Sequence, residues 1–318
     1  MSFIEVRFSV TDVPGAAGGR LDRFLAARIK GSTRSDAQRL LDEGRVSVAG
    51  RPGVPRAATR VGTADTVVVL YPKREDPPPV VERLSVLYED EFLLAVDKPA
   101  RMLSHPTDKV ARNSVTEVLA AQFPGLEPRL AHRLDRETSG VLLLTKDAVS
   151  ARLVQEQFER RETAKEYLAL VSGSPAWRET TLDLPLAKAG GGIKVRQAAL
   201  EDGAPAWTDF LVLASSETAA LVLCKPRTGR LHQIRVHLMH LGHPILGDIL
   251  YGGDGSLYLK AVAGSITAED RAAAGAPRQM LHARALSFAH PRGGAPLTVT
   301  AEAPRDMREC ARARGLLV

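Results

Sequence analysis

The run His132-Arg133-Leu134-Asp135-Arg136-Glu137-Thr138-Ser139-Gly140, followed directly by Val141-Leu142-Leu143-Leu144-Thr145, constrains this chain more than any other segment. A Thr-Ser-Gly turn delivers the backbone into a short apolar run, the pattern of a buried strand. Asp135 stands in sequence between two guanidinium groups, Arg133 and Arg136, and nearby positive charge favours the carboxylate form. An aimed, ionised carboxylate can act as a nucleophile or as a base. The same residue types also make an ordinary structural ion pair in a loop, and local chemistry alone favours that plainer role.

The surrounding pattern reads as a mixture of hairpins and helices. Residues 84–88 and 92–96 form a hairpin that enters Asp97-Lys98-Pro99 and a loop reaching His105-Pro106. Asp147 caps a helix running to about residue 161, with Leu153, Val154, Gln157 and Phe158 on its packed face. Residues 164–171 alternate as a strand that carries Lys165 and Tyr167. Residues 181–205 are rich in Gly and Ala, with Lys188, Lys194 and Arg196, and read as a mobile basic loop. A hairpin over 207–213 and 219–224 follows, then Lys225-Pro226-Arg227-Thr228-Gly229-Arg230-Leu231-His232-Gln233-Ile234-Arg235. A helix is expected from near Arg230 to about Leu241, ended by Gly242. Its Arg230 and Arg235, five apart, point in different directions. His232, His237, His240 and His243 have no Cys partner and no His-Glu-x-x-His spacing, so no metal is expected. Residues 285–289 and 297–301 close the chain as a hairpin.

Charge divides the molecule. The net charge is +6, and residues 19–71 contain ten Lys or Arg against five Asp or Glu, a balance of +5. One small segment therefore holds most of the excess, as a polyanion-binding module attached to a nearly neutral body would. Arg20 to Ile29 has helical spacing, and Ser32, Thr33 or Ser35 caps a second helix over 36–43, ended by Gly44. Short strands at 46–48 and 66–70 complete a two-helix, small-sheet unit with Arg34, Arg39, Arg45 and Arg51 toward one corner. The expected divisions are a strand or tail at 1–18, the basic module at 19–71, a spacer at 72–83 built on Pro77-Pro78-Pro79, and a body at 84–318. No apolar run approaches the roughly 20 residues that span a bilayer. The N-terminus lacks signal-peptide features, and two isolated cysteines suit a reducing compartment, so a cytoplasmic protein with no membrane partner is expected.

The nine-residue block, the Asp97-Lys98-Pro99…His105-Pro106 segment, Lys165-Glu166-Tyr167 and the 225–235 block occur in an order that closely resembles the RluA-type RNA pseudouridine synthases. The pattern Arg20-Leu21-Asp22, Ser35 and Glu43-Gly44-Arg45-Val46 resembles the alpha-L RNA-binding domain. The resemblance implies an α+β fold, with a mixed, mainly antiparallel sheet flanked by helices behind a small N-terminal α/β RNA-binding domain. It implies Asp135 as the catalytic carboxylate, Arg235 as its ion-pair partner and Tyr167 beside the target base. Arg133 is then the side chain that fills the space of a flipped uracil, with Arg230 and His132 near the RNA. Arg20, Arg34, Arg39 and Arg45 fall to the N-terminal RNA contact. Three departures stand out: Val48-Ala49-Gly50 where the alpha-L domain has Val-Asn-Gly, Arg101 where the synthase family has glycine, and Leu231 where it has Thr or Ser.

The expected partner is RNA, ribosomal in preference to transfer RNA, acted on by a monomer without a cofactor. Two rivals compete with this reading. One is a hydrolase pairing Asp135 with a second acid such as Glu137. The other is a catalytically inert RNA-binding assembly factor.

Overall fold

The apolar run after Gly140 becomes the strand Ser139–Thr145, buried along its whole length, in a computed structural model that describes residues 3–29, 32–72, 81–106 and 113–316. It pairs antiparallel with Leu93–Lys98. On its other edge it pairs with Leu281–Ala289 in parallel, through Ser139–His282 and Gly140–Ala283. Gly140 has φ +109°, and a Cβ there would fall on the Ala283 carbonyl, so only glycine permits this approach. The strand order is Ser85–Glu89, Leu93–Lys98, Ser139–Thr145, Leu281–Ala289, Ala164–Ser172, Ala219–Pro226, Trp207–Ser215 and Glu179–Asp183. All these neighbours are antiparallel except the one pair just named. The result is a mixed, mainly antiparallel α+β sheet.

Helices cover this sheet where the sequence supplies an apolar stripe. Ala148–Glu159 begins at Asp147, whose carboxylate accepts from the Val149 and Ser150 amides at 2.8 and 2.9 Å, and packs through Val154 and Phe158. Gln233–His240 starts later than its spacing suggests. Residues 230–232 form a turn, and His232 adopts φ +57° as the N-cap. The segment read as a mobile basic loop is instead ordered. Glu179–Asp183 edges the main sheet, while Leu186–Lys188 and Gln197–Ala199 pair as a small hairpin. Leu186 packs there with Val236, Leu250 and Tyr251, a burial that outweighs the poor strand propensity of the Gly-rich turn. Arg196 donates to the carbonyls of Gly253 and Asp254.

The chain divides into two units, residues 1–75 and 76–318. In the first, Phe3–Ser9 pairs with Thr66–Pro72, which also pairs with Val46–Val48. The segment expected as a strand or tail therefore contributes a strand to the basic module's own sheet. Helices Leu21–Arg28 and Arg34–Asp42 pack on that sheet through Leu21, Phe24, Leu25, Ala37 and Leu41. Thr33 and Asp36 close a reciprocal capping box at the second helix. Residues 73–80 of the proline-rich spacer lie outside the described residues.

Candidate active site

Asp135 is aimed by its neighbours on both sides. Leu134 is buried, and the Ser104 hydroxyl accepts from its amide at 3.1 Å and donates to its carbonyl at 3.0 Å. The Thr138 amide then donates to the Asp135 carbonyl at 3.1 Å, closing the turn. Lys98 holds the same turn from beneath. Its buried ammonium donates to the carbonyls of Pro99, Met102 and Arg136 at 2.9, 2.8 and 3.2 Å. Burial pulls the Lys98 pKa down to about 7, against the pull of Asp135 and Glu137. Lys98 is thus a scaffold residue that holds the catalytic turn. Arg101, which departs from the family's glycine, keeps the glycine-like conformation at φ +68° and anchors by donating to the Pro277 carbonyl.

The two arginines beside Asp135 in sequence do not pair with it. Arg136 turns away and donates to the Arg101 carbonyl. The partner is Arg235, one hundred positions on, whose Nη1 donates to Asp135 Oδ2 at 2.8 Å. Arg235 is in turn fixed by Asp248, which accepts from Nε at 2.7 Å and Nη2 at 2.9 Å, and also from the Leu250 and Tyr251 amides. One edge of the guanidinium is therefore spent on Asp248, and the remaining nitrogen is directed at Asp135. Burial acts to lower the Arg235 pKa, but the two carboxylates outweigh it and raise it. Its guanidinium also lies over the Tyr251 ring, 4.9 Å from the centroid.

A second line of contact reaches Asp135 through His232. The Tyr251 hydroxyl accepts from the Gln197 amide and lies 2.8 Å from His232 Nδ1. The other ring nitrogen, Nε2, faces Asp135 Oδ2 at 3.8 Å. Burial, then the Arg235 charge, lowers the His232 pKa to about 4, so the ring is neutral at pH 7. Gln233 locks the helix start by using its whole amide. It accepts from the Thr228 hydroxyl and the Arg230 amide, and donates to the Trp207 carbonyl and the Thr208 hydroxyl.

Asp135, Arg235 and Tyr167 line one cleft of about 120 Å³, together with Arg133, Lys165 and Arg230. That space equals roughly four liquid-water volumes, the scale of a single base and far too small for a duplex. Lys165 and Tyr167 project into it because alternate residues of a strand share a face. The Tyr167 hydroxyl makes no hydrogen bond among the described residues, and burial, followed by the Asp135 charge, pushes its pKa up. Arg133 is exposed at the mouth, with no hydrogen bond or ion pair on its guanidinium among the described residues. Arg230 donates to the Pro205 carbonyl at 3.1 Å. Asp135 is the one carboxylate in the cleft lining. Glu137 is not part of it, which removes the second acid from the hydrolase reading.

His132 lines a wider groove together with Arg133, Asp135 and Tyr167, while its Nε2 accepts from the Leu143 amide at 3.1 Å and its ring lies against Phe158. Burial, then Lys165, lowers its pKa to about 4. In the N-terminal unit Arg20, Arg34 and Arg39 line one concavity, but each arginine named there has a carboxylate partner. Arg20 and Arg34 share Asp22, Arg39 meets Asp36, and Arg45 meets Glu43. Arg51 pairs with Asp65 instead of lining that concavity. Sequence reasoning missed Asp248 and Tyr251, although a carboxylate followed by Leu250 and Tyr251 thirteen residues after a buried arginine was a usable signal. Among the described residues no group of His, Cys, Asp and Glu is placed to hold a metal ion.

A single-carboxylate, arginine-clamped cleft beside a tyrosine, on a mixed sheet that follows a basic module, defines an RNA-modifying enzyme. Residues 92–240 match the RNA pseudouridylate synthase family and residues 19–53 the S4 domain. A Xanthomonas campestris pv. campestris protein named ribosomal large subunit pseudouridine synthase D is 34% identical over 297 residues, covering 92% of this chain and 88% of that one. A Salmonella typhi protein named ribosomal large subunit pseudouridine synthase C is 32% identical over 304 residues, covering 92% of each. The solved structure of human RNA pseudouridylate synthase domain containing 1 superposes with a TM-score of 0.59 at 29% identity, over 74% of this chain and 90% of that one. This chain belongs to the RNA pseudouridylate synthase family, with an S4 domain ahead of its catalytic unit.

Proposed function

We propose that the protein converts uridine to pseudouridine in large-subunit ribosomal RNA, as a cytoplasmic monomer. The observation that carries this reading is the Asp135–Arg235–Asp248 clamp, opening on a base-sized cleft beside Tyr167. The names of the relatives support the substrate class.

The target uridine leaves its stack at a cost of a few kcal/mol, and Arg133, unpaired at the mouth, fills the vacated place. The carboxylate of Asp135 then acts on the sugar, at the anomeric carbon or at the neighbouring proton. The bond from that carbon to the ring nitrogen is exchanged for one to ring carbon 5, and the carbon-5 proton is released. The carbon-5 proton goes to the Asp135 carboxylate, or to Tyr167 as its hydroxyl proton passes to solvent water, and the ring nitrogen takes a proton in exchange. No electrons or energy enter from outside, so the reaction calls for no cofactor. The S4 unit binds RNA through its Arg20, Arg34 and Arg39 concavity.

Tritium release from RNA labelled at uridine carbon 5 tests the chemistry, and retention of the label by wild-type protein overturns it. Mapping pseudouridines in total RNA from a deletion strain tests the substrate. A missing site in large-subunit RNA supports the assignment, and one in transfer RNA replaces it. RNA binding without tritium release is the result expected of an assembly factor.

A further inference from the structure

Beside the cleft, and sharing the Lys165 wall with it, lies a trough of about 530 Å³ whose floor and rim include Arg161, Thr163 and Trp207. Two of its cations are already satisfied: Arg227 makes a bidentate pair with Asp209, and Lys225 meets Glu166. Arg161 is not. Its guanidinium has no ion pair or hydrogen bond among the described residues and lies over the Trp207 ring, 5.4 Å from the centroid. The Thr163 hydroxyl is buried there without a hydrogen-bond partner.

The backbone makes the choice of arginine informative. Arg161 follows the end of helix Ala148–Glu159, where its amide donates to the Phe158 carbonyl and the Glu162 amide donates to the Gln157 carbonyl. That bond pair requires a left-handed residue, Arg161 has φ +61°, and glycine is the low-strain choice at that position. Strain retained at one residue directs attention to what its side chain does. The indole, meanwhile, is held in place from its backbone. The Trp207 amide donates to the Thr228 hydroxyl, and its carbonyl accepts from Gln233, the residue that locks the catalytic helix.

A pre-positioned aromatic face covered by a free guanidinium, next to a cleft for one base, is the equipment of a stacking site for single-stranded nucleic acid. We propose that the trough binds the nucleotide adjacent to the target uridine. Its base takes the indole face that Arg161 covers in the free protein, and Arg161 turns to the phosphate. This rests on the pseudouridine synthase reading for what fills the neighbouring cleft.

The chain has two tryptophans, so Trp177→Phe leaves Trp207 as its only indole. Oligouridine should quench the emission of that protein, whereas inorganic polyphosphate, which has no base, should not. Unchanged emission with oligouridine overturns the proposal. On the RNA carrying the mapped uridine, Trp207→Leu stays apolar but loses the ring, and its KM should rise between about 5- and 150-fold. An abasic nucleotide on one side of the target should raise the wild-type KM similarly and add nothing to Trp207→Leu. Additive effects, or an unchanged KM, overturn the site. Arg161→Gly relieves the left-handed strain, so its melting temperature should equal or exceed wild type while its salt dependence of binding falls by about one. A merely structural arginine would leave the salt dependence alone. Quenching without tritium release from the wild type would sink the synthase reading and leave the stacking site standing.

Discussion

The two units solve the same electrostatic problem with the signs reversed. In the N-terminal unit one buried carboxylate, Asp22, gathers two arginines. Its side chain is 5% exposed, against 40% for Arg20 and 57% for Arg34. In the catalytic unit one buried arginine, Arg235, gathers two carboxylates, with Asp248 at 1% and Asp135 at 25% exposure. Each cluster keeps its shared partner dry and places its surplus charge at the open end. The surplus is positive in the N-terminal cluster; in the catalytic cluster it is the Asp135 carboxylate, set in a cleft that Arg133, Lys165 and Arg230 also line. Removing Asp248 leaves the buried Arg235 short of a partner out of water, whereas removing Asp22 leaves two arginines that reach solvent.

That contrast orders the expected effects. Asp135→Asn should lower turnover by on the order of 10⁴-fold or more with the melting temperature nearly unchanged, because Arg235 keeps Asp248. Full tritium release by this variant would end the comparison. Tyr167→Phe keeps the aromatic face and loses the hydroxyl, and single-turnover rates should fall roughly 10²- to 10⁴-fold while RNA affinity holds. Asp248→Ala strips the dry side of the catalytic cluster. Urea unfolding should show a loss of about 3–5 kcal/mol, with turnover falling as Nη1 loses its direction. Asp248→Asn, which can still accept hydrogen bonds, should lose less.

Lys98 sharpens the comparison because it is a dry cation without a carboxylate in contact. Its folded pKa, about 7, lies below the unfolded value, so the unfolded chain binds the extra proton above neutrality. Stability of the wild type relative to Lys98→Met should therefore rise with pH, by roughly 1.4 kcal/mol for each unit between about 7 and 10. A flat difference would show that the ammonium stays charged in the fold.

Much of this was legible where a residue's own neighbours decide its conformation. The buried strand after Gly140, the Asp147 cap and the hairpin around Trp207 all follow from local apolar and capping patterns. The site was less legible because its contacts are long-range. Sequence adjacency made Arg133 and Arg136 the natural partners of Asp135. The Ser104 grip on Leu134 turns the carboxylate inward, and Arg136 points outward instead. Arg235 was reached by resemblance, and the role of Asp248 at the site was not. A buried guanidinium with five donors needs more than one acceptor, which was the available clue. His132 lines the groove beside Asp135 while its ring nitrogen satisfies a strand amide, a long-range contact that spacing does not show.

The smallest expected effect belongs to the wet cluster and appears only in acid. Hydrogen bonding from Arg20, then from Arg34, outweighs burial and holds the Asp22 carboxyl well below the usual carboxylate range. A carboxyl whose folded pKa is depressed stabilises the fold fully above its unfolded value, about 3.9. It loses that contribution as pH falls toward the folded value. Asp22→Asn should therefore speed amide exchange in helix Leu21–Arg28 at neutral pH, and the difference from wild type should shrink below about pH 4. Because the substitution frees Arg20 and Arg34 rather than stranding a dry charge, RNA affinity should hold or rise. Turnover at saturating RNA should stay at the wild-type level. A loss of affinity would mean that Asp22 sets the spacing of the two guanidiniums on the phosphate backbone, and the wet cluster would then be as geometrically demanding as the dry one.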